Sequence, residues 1–290
     1  MTRFLKKLFL FGLLFILLNI LYLGILILTD WNFSKRIEAI SLNEPSYEFV
    51  VLGNSLAMDA IDCEVLESKE NGAYNLSIGG SSIRTNYIQL EEYLKLCKEK
   101  PETVILGLGS YLNDFNRGDI NPIVAYTMED RNYSYDDLLP MFKFRWLCIE
   151  LIKKVISKDH RNFELIQGQL RIDRVVADKS KLPDPLPDLE IARFNNSKYL
   201  EKIAQMCDQN QIKLVVLELP GFKKTRNKSS IGPYVLFNNK YPNSLLFNFN
   251  NFKSASALDP KKDWLGNSHL NVNGAKKFTT QIVPYLDSQL

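Results

Sequence analysis

A serine follows directly on an apolar run near the start of the chain. Tyr47 to Gly53 (YEFVVLG) is typical of a strand buried on both faces, and Gly53-Asn54-Ser55 ends it. Nucleophilic serine chemistry needs a hydroxyl on a tight turn after a strand, a base that takes its proton and donors for the oxyanion. Ser55 is therefore a candidate nucleophile, although a Gly-x-Ser turn alone usually only starts a helix.

The chain contains only two histidines, so few residues can serve as the base. His160 lies in a charged stretch, Lys158 to Arg161, which is typical of a protein surface. His269 comes just before the last predicted helix, where the chain returns to the carboxyl edge of the predicted sheet. We therefore expect His269 to act as the base for Ser55.

Two further loops offer hydrogen-bond donors for an oxyanion. The turn at Gly79-Gly80 can present backbone N–H groups, and Asn113 follows another predicted strand with a side-chain amide. Loops after parallel strands project to one edge of the sheet, so these donors are expected to share a pocket with Ser55 and His269.

The elements that would position these residues alternate between strands and helices. Beyond the first strand, the apolar runs predict strands at Ala73 to Ile78, Thr103 to Leu108, Lys213 to Leu219 and Ser244 to Phe249. Helical spacing predicts a helix capped by Ser82, a helix from Ser197 to Asn210, and a closing helix from Gly274 to Leu286 with Asn273 as N-cap. This alternation predicts an α/β fold with a parallel sheet in a three-layer α/β/α sandwich.

These blocks resemble the SGNH (GDSL-like) hydrolase superfamily, whose motifs follow one another in the same order. The four blocks are VVLGNSLAMDAID, AYNLSIGGSS, ILGLGSYLND and HLNVNGAKKFT. The resemblance implies a flavodoxin-like SGNH fold, with Ser55 as nucleophile and His269 as base. It also implies an oxyanion hole made by the Ser55 N–H, the Gly80 N–H and the Asn113 amide.

The sequence departs from this family at two positions. The family's Gly-x-Asn-Asp is stretched here to GSYLND over residues 109–114, and Gly266 stands where the triad aspartate is expected, three residues before His269. Asp263 is the nearest preceding carboxylate and is the candidate third member; Asn267, or a dyad helped by a backbone carbonyl, is the alternative. Gly266 also favours a second hypothesis, a catalytically silent SGNH-fold module for binding or assembly.

The N-terminus carries an apolar run long enough to cross a bilayer. No residue from Leu8 to Thr29 is charged, and basic residues precede the run. The predicted organisation is a cytoplasmic N-terminus at 1–7, a transmembrane anchor at 8–29, a linker at 30–45, and an extracytoplasmic domain at 46–290 with an insertion at about 116–190. A cleaved signal peptide is the alternative, but its apolar core is usually shorter and ends at small residues.

Composition excludes several classes of protein. A chain of 290 residues with 46% hydrophobic content can bury a large core, and a net charge of +3 is too weak for a nucleic-acid-binding protein. The four cysteines form no CxxC pair, and Gly107-Leu108-Gly109 lacks the later glycine of a dinucleotide fingerprint. No metal site, cofactor or nucleic-acid partner is therefore predicted.

An anchored outside domain is similar to envelope members of the superfamily, which handle acyl groups on cell-surface polymers. The resemblance implies a serine esterase or O-acyltransferase that acts on acylated envelope polysaccharide beside the bilayer, with a membrane-bound O-acyltransferase as its partner. The insertion is expected either to line the substrate site as a wall or lid or to be a structural subdomain. Its aromatic residues either stack on sugar rings or form core: Tyr126, Tyr133, Tyr135, Phe142, Phe144 and Trp146.

Overall fold

The computed structural model describes residues 2–28, 47–66, 72–109, 139–145, 165–173, 175, 196–221, 233–248, 258–259, 261–266 and 269–288. The chain divides into two compact units. One consists of Met1–Arg36 and Ile120–Asn162, and the other of Ile37–Asp119 and Phe163–Leu290. The first contains the apolar N-terminal helix, and the second contains a sheet with its helices.

The second unit is built on a six-stranded sheet in the order β2-β1-β3-β6-β8-β7. The strands are β1 (Phe49–Gly53), β2 (Ala73–Asn75), β3 (Thr103–Leu108), β6 (Lys213–Glu218), β7 (Pro233–Val235) and β8 (Ser244–Asn248). Five of them pair in parallel, whereas the edge strand β7 runs antiparallel to β8. The predicted parallel α/β sheet is thus confirmed. A separate hairpin joins β4 (Leu165–Ile166) to β5 (Gln169–Leu170).

Helices flank both faces of this sheet. In the second unit they are α2 (Ser55–Ala60), α3 (Cys63–Leu66), α4 (Ile83–Leu96), α6 (Lys198–Gln209) and α7 (Val272–Ser288). Helices α2 and α3 pack on α7, and α4 packs on α6. Val51, Ile105 and Val215 belong to the core beneath α2 and α7. Because neighbouring strand residues face opposite ways, the next residues along each strand face the other helical layer, as in the predicted three-layer sandwich.

Two of the predicted helix starts are confirmed by their caps. Ser82 Oγ accepts a hydrogen bond from Thr85 N at the start of α4, and Ser197 Oγ accepts one from Leu200 N at the start of α6. The predicted N-cap of α7, Asn273, was wrong by two residues, about half a helical turn. Asn271 Oδ1 accepts a hydrogen bond from Gly274 N at 3.0 Å, so Asn271 provides the cap. Asn271 and Asn273 have the same side chain and therefore the same capping chemistry, but Asn273 lies inside the helix.

Small residues hold α2 close to the carboxyl ends of β1 and β3. A Cβ atom placed on Gly53 would lie 2.4 Å from the Ala57 Cβ, and one on Gly107 would lie 2.7 Å from the same atom. Gly53 also has φ +152°, a conformation that side chains rarely allow. Glycine is therefore required at both positions, and the start of α2, which carries Ser55, is fixed against the sheet.

The first unit contains α1 (Thr2–Leu28), followed in the described residues by the short helix α5 (Pro140–Lys143). By length and composition, α1 is the helix in the described part of the chain that can cross a membrane. Most of its apolar side chains are exposed. This fits a single-pass membrane anchor, and a signal sequence has the same features.

Candidate active site

Ser55 is the first residue of α2 and follows the carboxyl end of β1. The turn between them is closed by Asn54, whose Oδ1 accepts a hydrogen bond from Leu56 N at 3.0 Å. Asn54 thus caps the helix that carries Ser55. Ser55 itself is half-buried. The structure places its side chain at a turn after a parallel strand, where nucleophilic serine chemistry requires it.

The loop after β2 lies against Ser55. A Cβ atom on Gly79 would be 3.8 Å from the Ser55 Cβ, which is an ordinary van der Waals distance. The next residue, Gly80, has φ +74°, a left-handed conformation that glycine adopts without strain. The glycine turn predicted to offer oxyanion donors is therefore beside the predicted nucleophile.

A group of hydrogen bonds fastens this loop to the serine turn. The carbonyl oxygen of Gly53 accepts from Ile78 N at 3.1 Å, from Ser81 Oγ at 2.7 Å and from Asn86 Nδ2 at 3.2 Å. Ser81 and Asn86 are both buried. The Gly53 carbonyl thus accepts hydrogen bonds from the loop after β2 and from α4. These bonds hold that loop at a fixed distance from the turn that carries Ser55.

His269 lies in a loop whose two ends are joined by backbone contacts. Trp264 and Leu270 form an antiparallel bridge. The carbonyl oxygen of His269 accepts from Leu265 N at 2.9 Å and from Gly266 N at 3.3 Å. The backbone of His269 is therefore held by its own loop, and its side chain, 33% exposed, is left to contact other elements.

The imidazole of His269 contacts the carboxylate of Asp59. The distance from Nδ1 to Asp59 Oδ2 is 2.5 Å, and the Asp59 side chain is only 4% exposed. Asp59 follows Ser55 by four residues in α2, and residues at this spacing share one face of a helix. The carboxylate that contacts the histidine therefore lies one helical turn from the serine. A carboxylate on Nδ1 leaves Nε2 as the ring nitrogen for proton transfer.

The buried environment of the Asp59 carboxyl group disfavours its charged form. Burial raises the pKa of its carboxyl group, and the hydrogen bond and charge of His269 oppose that rise. Its other oxygen, Oδ1, is buried and has no hydrogen-bond partner among the described residues. An unpartnered buried carboxylate oxygen destabilises a fold. Perturbed groups of this kind cluster at functional sites.

Asp263, the carboxylate that the sequence proposed for the third position, contacts other groups. Its Oδ1 and Oδ2 accept hydrogen bonds from Lys277 Nζ at 3.0 and 2.8 Å, and Oδ2 also accepts from Asp259 N at 2.6 Å. Its backbone oxygen accepts from Asn271 N, which places Asp263 at the base of the histidine loop. Asp263 thus ties this loop to α7, and the carboxylate in contact with His269 is that of Asp59.

Some of the predicted site lies outside the described residues, namely Asn113, the alternative orienting residue Asn267 and the other histidine, His160. Within the described part of the chain, no hydrogen bond joins Ser55 to His269. Nucleophile and base often close this contact only when substrate is bound.

Residues 165–173 of the predicted insertion belong to the second unit and border α2. The hairpin β4-β5 contacts this helix, and Asn75 N in β2 donates to Gln167 O at 2.8 Å. Arg171 then bridges Asp62 and Glu64, with its Nη2 at 3.1 and 2.6 Å from their carboxylate oxygens. These contacts fix the hairpin beside the element that carries Ser55 and Asp59.

No group of three or more metal-binding side chains occurs among the residues with a described structure. In the same residues Cys63, Cys97 and Cys207 are free thiols, and Cys148 lies outside them. Neither finding adds a redox or metal function to the site.

Sequence reasoning missed Asp59, although a signal for it was present. Ser55 and Asp59 form a Ser-x-x-x-Asp pattern. In a helix this spacing brings the two side chains to one face. An acidic residue in a short helix is usually solvated, so this pattern alone does not predict a contact with His269.

Comparison with known proteins assigns no family to this chain. No family model matches the chain, and no curated protein matches it. Among solved structures, it is similar to one described provisionally as a platelet activating factor from Streptococcus pneumonia, with 12% sequence identity and a TM-score of 0.44. The match covers 92% of this chain and 96% of the other. A likeness at this level says nothing about the chemistry of this chain.

Proposed function

We propose that this chain is a membrane-anchored, extracytoplasmic serine esterase or O-acyltransferase that acts on acyl esters of cell-envelope polysaccharide. The observation that carries the proposal is the contact of His269 Nδ1 with Asp59 Oδ2, one helical turn from Ser55. A buried carboxylate, an imidazole and a serine at a strand-to-helix turn are the groups that acyl transfer through serine requires.

In the proposed reaction, Ser55 Oγ attacks the carbonyl carbon of the ester while His269 Nε2 takes the hydroxyl proton. The new O–C bond forms as the carbonyl electron pair moves to oxygen. The intermediate then collapses, the bond to the alcohol breaks, and His269 returns the proton to the departing alkoxide. Asp59 holds the ring and stabilises the imidazolium through Nδ1. Water or a sugar hydroxyl then takes the acyl group by the reverse sequence.

The oxyanion that forms in these steps needs fixed donors. We assign this role to the backbone N–H groups of Ser55 and Gly80 and to the Asn113 amide. The position of Gly79 against Ser55, and the hydrogen bonds that fasten the loop to Gly53, support the backbone part of this assignment.

The cellular setting of the proposal rests on α1 and on the resemblance to envelope enzymes. An uncleaved α1 with basic residues before it would hold the catalytic unit at the extracytoplasmic surface of the membrane that α1 spans. Acyl esters on a surface glycan would then be within reach, and a membrane-bound O-acyltransferase is the proposed partner. Hydrolysis and transfer differ only in the acceptor, water or a glycan hydroxyl.

Labelling with a fluorophosphonate tests whether Ser55 is activated. The full-length protein in detergent is treated with the probe, and intact mass is compared between the parent and Ser55→Ala. We expect one adduct on the parent, with loss of fluoride, and none on the variant. A folded parent that forms no adduct would contradict the proposal and favour a catalytically silent binding or assembly module.

A second measurement separates hydrolysis from transfer. p-Nitrophenyl acetate is supplied with and without an envelope oligosaccharide, and both free acetate and acetylated glycan are measured. Acetylated glycan formed by the parent and absent with Ser55→Ala would identify a transferase, whereas acetate alone would identify an esterase.

A further inference from the structure

A polar pair interrupts the apolar surface of α1. Asn19 is 3% exposed and Tyr22 is 8% exposed, whereas their neighbours Ile20 and Leu21 are 62% and 61% exposed. The two buried side chains lie three residues apart and therefore share one face of the helix. What covers them is another segment of the same unit, residues 139–145.

The contacts join polar side chains of α1 to the two ends of α5. Asn19 Oδ1 accepts a hydrogen bond from Met141 N at 3.0 Å, and Tyr22 OH donates to the carbonyl oxygen of Phe144 at 2.7 Å. The first N–H groups and last carbonyl groups of a helix have no partner inside it. Asn19 and Tyr22 thus satisfy a free donor at one end of α5 and a free acceptor at the other.

Backbone groups inside the hydrocarbon core of a membrane need hydrogen-bond partners of this kind. Away from water, each unpaired backbone group costs several kcal/mol, so a short helix needs side-chain partners at its ends. At about 1.5 Å per residue, Leu8 to Leu28 spans about 30 Å, the thickness of a bilayer core. On this scale Asn19 lies about 14 Å from the Leu28 end and Tyr22 about 9 Å from it.

The outer surface of residues 139–145 also suits lipid. Phe142 is 54% exposed and Met141 is 38% exposed, while Phe144 is buried. The guanidinium of Arg145 lies 4.8 Å from the Phe142 ring centre and donates to the Phe142 carbonyl at 2.9 Å. A long cationic side chain of this kind can reach the headgroups from a shallow depth in the membrane.

We propose that residues 139–145 are a second membrane-embedded element, which lies in the outer half of the bilayer. Asn19 and Tyr22 dock this element on α1, and Met141 and Phe142 contact the lipid acyl chains. The proposal rests on the membrane-spanning α1 of the proposed function and is independent of the chemistry at Ser55.

Depth-dependent fluorescence quenching tests the proposal on the full-length protein in phosphatidylcholine vesicles. Phe142→Trp is compared with Glu99→Trp, which places the same probe at an exposed position of the other unit. The emission of the parent is subtracted, because Trp31, Trp146 and Trp264 are common to all samples. Lipids brominated along their acyl chains are expected to quench most of the added Phe142→Trp emission and none of the added Glu99→Trp emission.

The docking contacts are tested by a double variant. Adding Asn19→Leu and Tyr22→Phe to Phe142→Trp is expected to remove most of the quenching, while the protein still floats with the vesicles and Ser55 is still labelled. The proposal is overturned if Phe142→Trp behaves like Glu99→Trp, or if the double variant leaves quenching unchanged. Loss of flotation by the parent would overturn it together with the anchor, whereas failed Ser55 labelling alone would overturn only the catalytic proposal.

Discussion

Asp59 and His269 are 210 positions apart in the chain, and their side chains lie in hydrogen-bond contact. The aspartate is fixed in the short helix that begins with Ser55, and the histidine is held by a loop at the other end of the chain. One helix therefore supplies both the candidate nucleophile and the carboxylate that orients the candidate base. In the proposed reaction, Asp59 therefore supplies the carboxylate that is absent at Gly266.

If Asp59 serves function, removing its charge should not harm the fold. Asp59→Asn is expected to leave the free energy of unfolding unchanged or to raise it at neutral pH, because one oxygen of the buried carboxylate has no hydrogen-bond partner among the described residues. Denaturant unfolding of the full-length protein in detergent measures this. A loss of more than about 2 kcal/mol would show that Asp59 is mainly a structural residue.

The same variant should change how stability depends on pH. Burial raises the folded-state pKa of Asp59 above its ordinary value of about 3.9. The folded protein therefore binds this proton more tightly than the unfolded chain does. Below both pKa values the group is neutral in either state and imposes no penalty; as pH rises through the folded-state pKa, stability is lost. The advantage of Asp59→Asn over the parent should thus grow from acid to neutral pH. A difference that shrinks over this range would contradict the assignment.

Gly266→Asp tests whether a carboxylate three residues before His269 would raise the activity. A Cβ atom at this position meets no atom of the described residues within 4 Å, so they leave room for the substitution. Because Asp59 already occupies His269 Nδ1, the rate of p-nitrophenyl acetate hydrolysis is expected to stay within about twofold of the parent. A gain of about tenfold or more would instead show that the parent lacks an effective carboxylate.

Gly53→Ala should destabilise the turn that carries Ser55. The new methyl group would lie 2.4 Å from the Ala57 Cβ and 2.9 Å from the Gly107 carbonyl oxygen, at φ +152°. Overpacking and backbone strain together predict a loss of about 3 kcal/mol or more in unfolding free energy. Gly266→Ala, whose methyl group meets no atom of the described residues within 4 Å, is the matched control and should cost less than about 1 kcal/mol. Equal losses in thermal or denaturant unfolding would contradict this account.

Asn86→Ala should loosen the connection between the two loops around Ser55. The buried amide donates to Gly53 O and to Gln89 Oε1, and removing it leaves these acceptors with fewer partners. The expected loss is about 1 to 3 kcal/mol of unfolding free energy. Asn273→Ala, an exposed asparagine, should change the unfolding free energy by less than about 0.5 kcal/mol. No difference between the two variants would mean that the network is not stabilising.

The strands and the serine turn were predictable because their signals are local. The apolar run Thr103 to Leu108 became β3 at its predicted bounds, and Ser82 capped α4 where the capping pattern placed it. The partner of His269 was not predictable in this way. Its contact joins distant parts of the chain, and nothing local shows that Asp59, rather than Asp263, will face the imidazole. The lysine at position 277, one helical turn into α7, attracts Asp263 away from the site.

The central claim is that Asp59 orients His269 toward proton transfer from Ser55, and the rate of fluorophosphonate labelling tests it most directly. Asp59→Asn is compared with Asp263→Asn in the full-length protein, each normalised to its folded fraction. Since loss of the triad aspartate costs about 10⁴ in the kcat of a serine protease, Asp59→Asn is expected to label at least about 100-fold more slowly than the parent. Asp263→Asn, which loses the charge that pairs with Lys277, is expected to label at the parent rate. Labelling of Asp59→Asn at the parent rate, or an equal loss in both variants, would contradict the account.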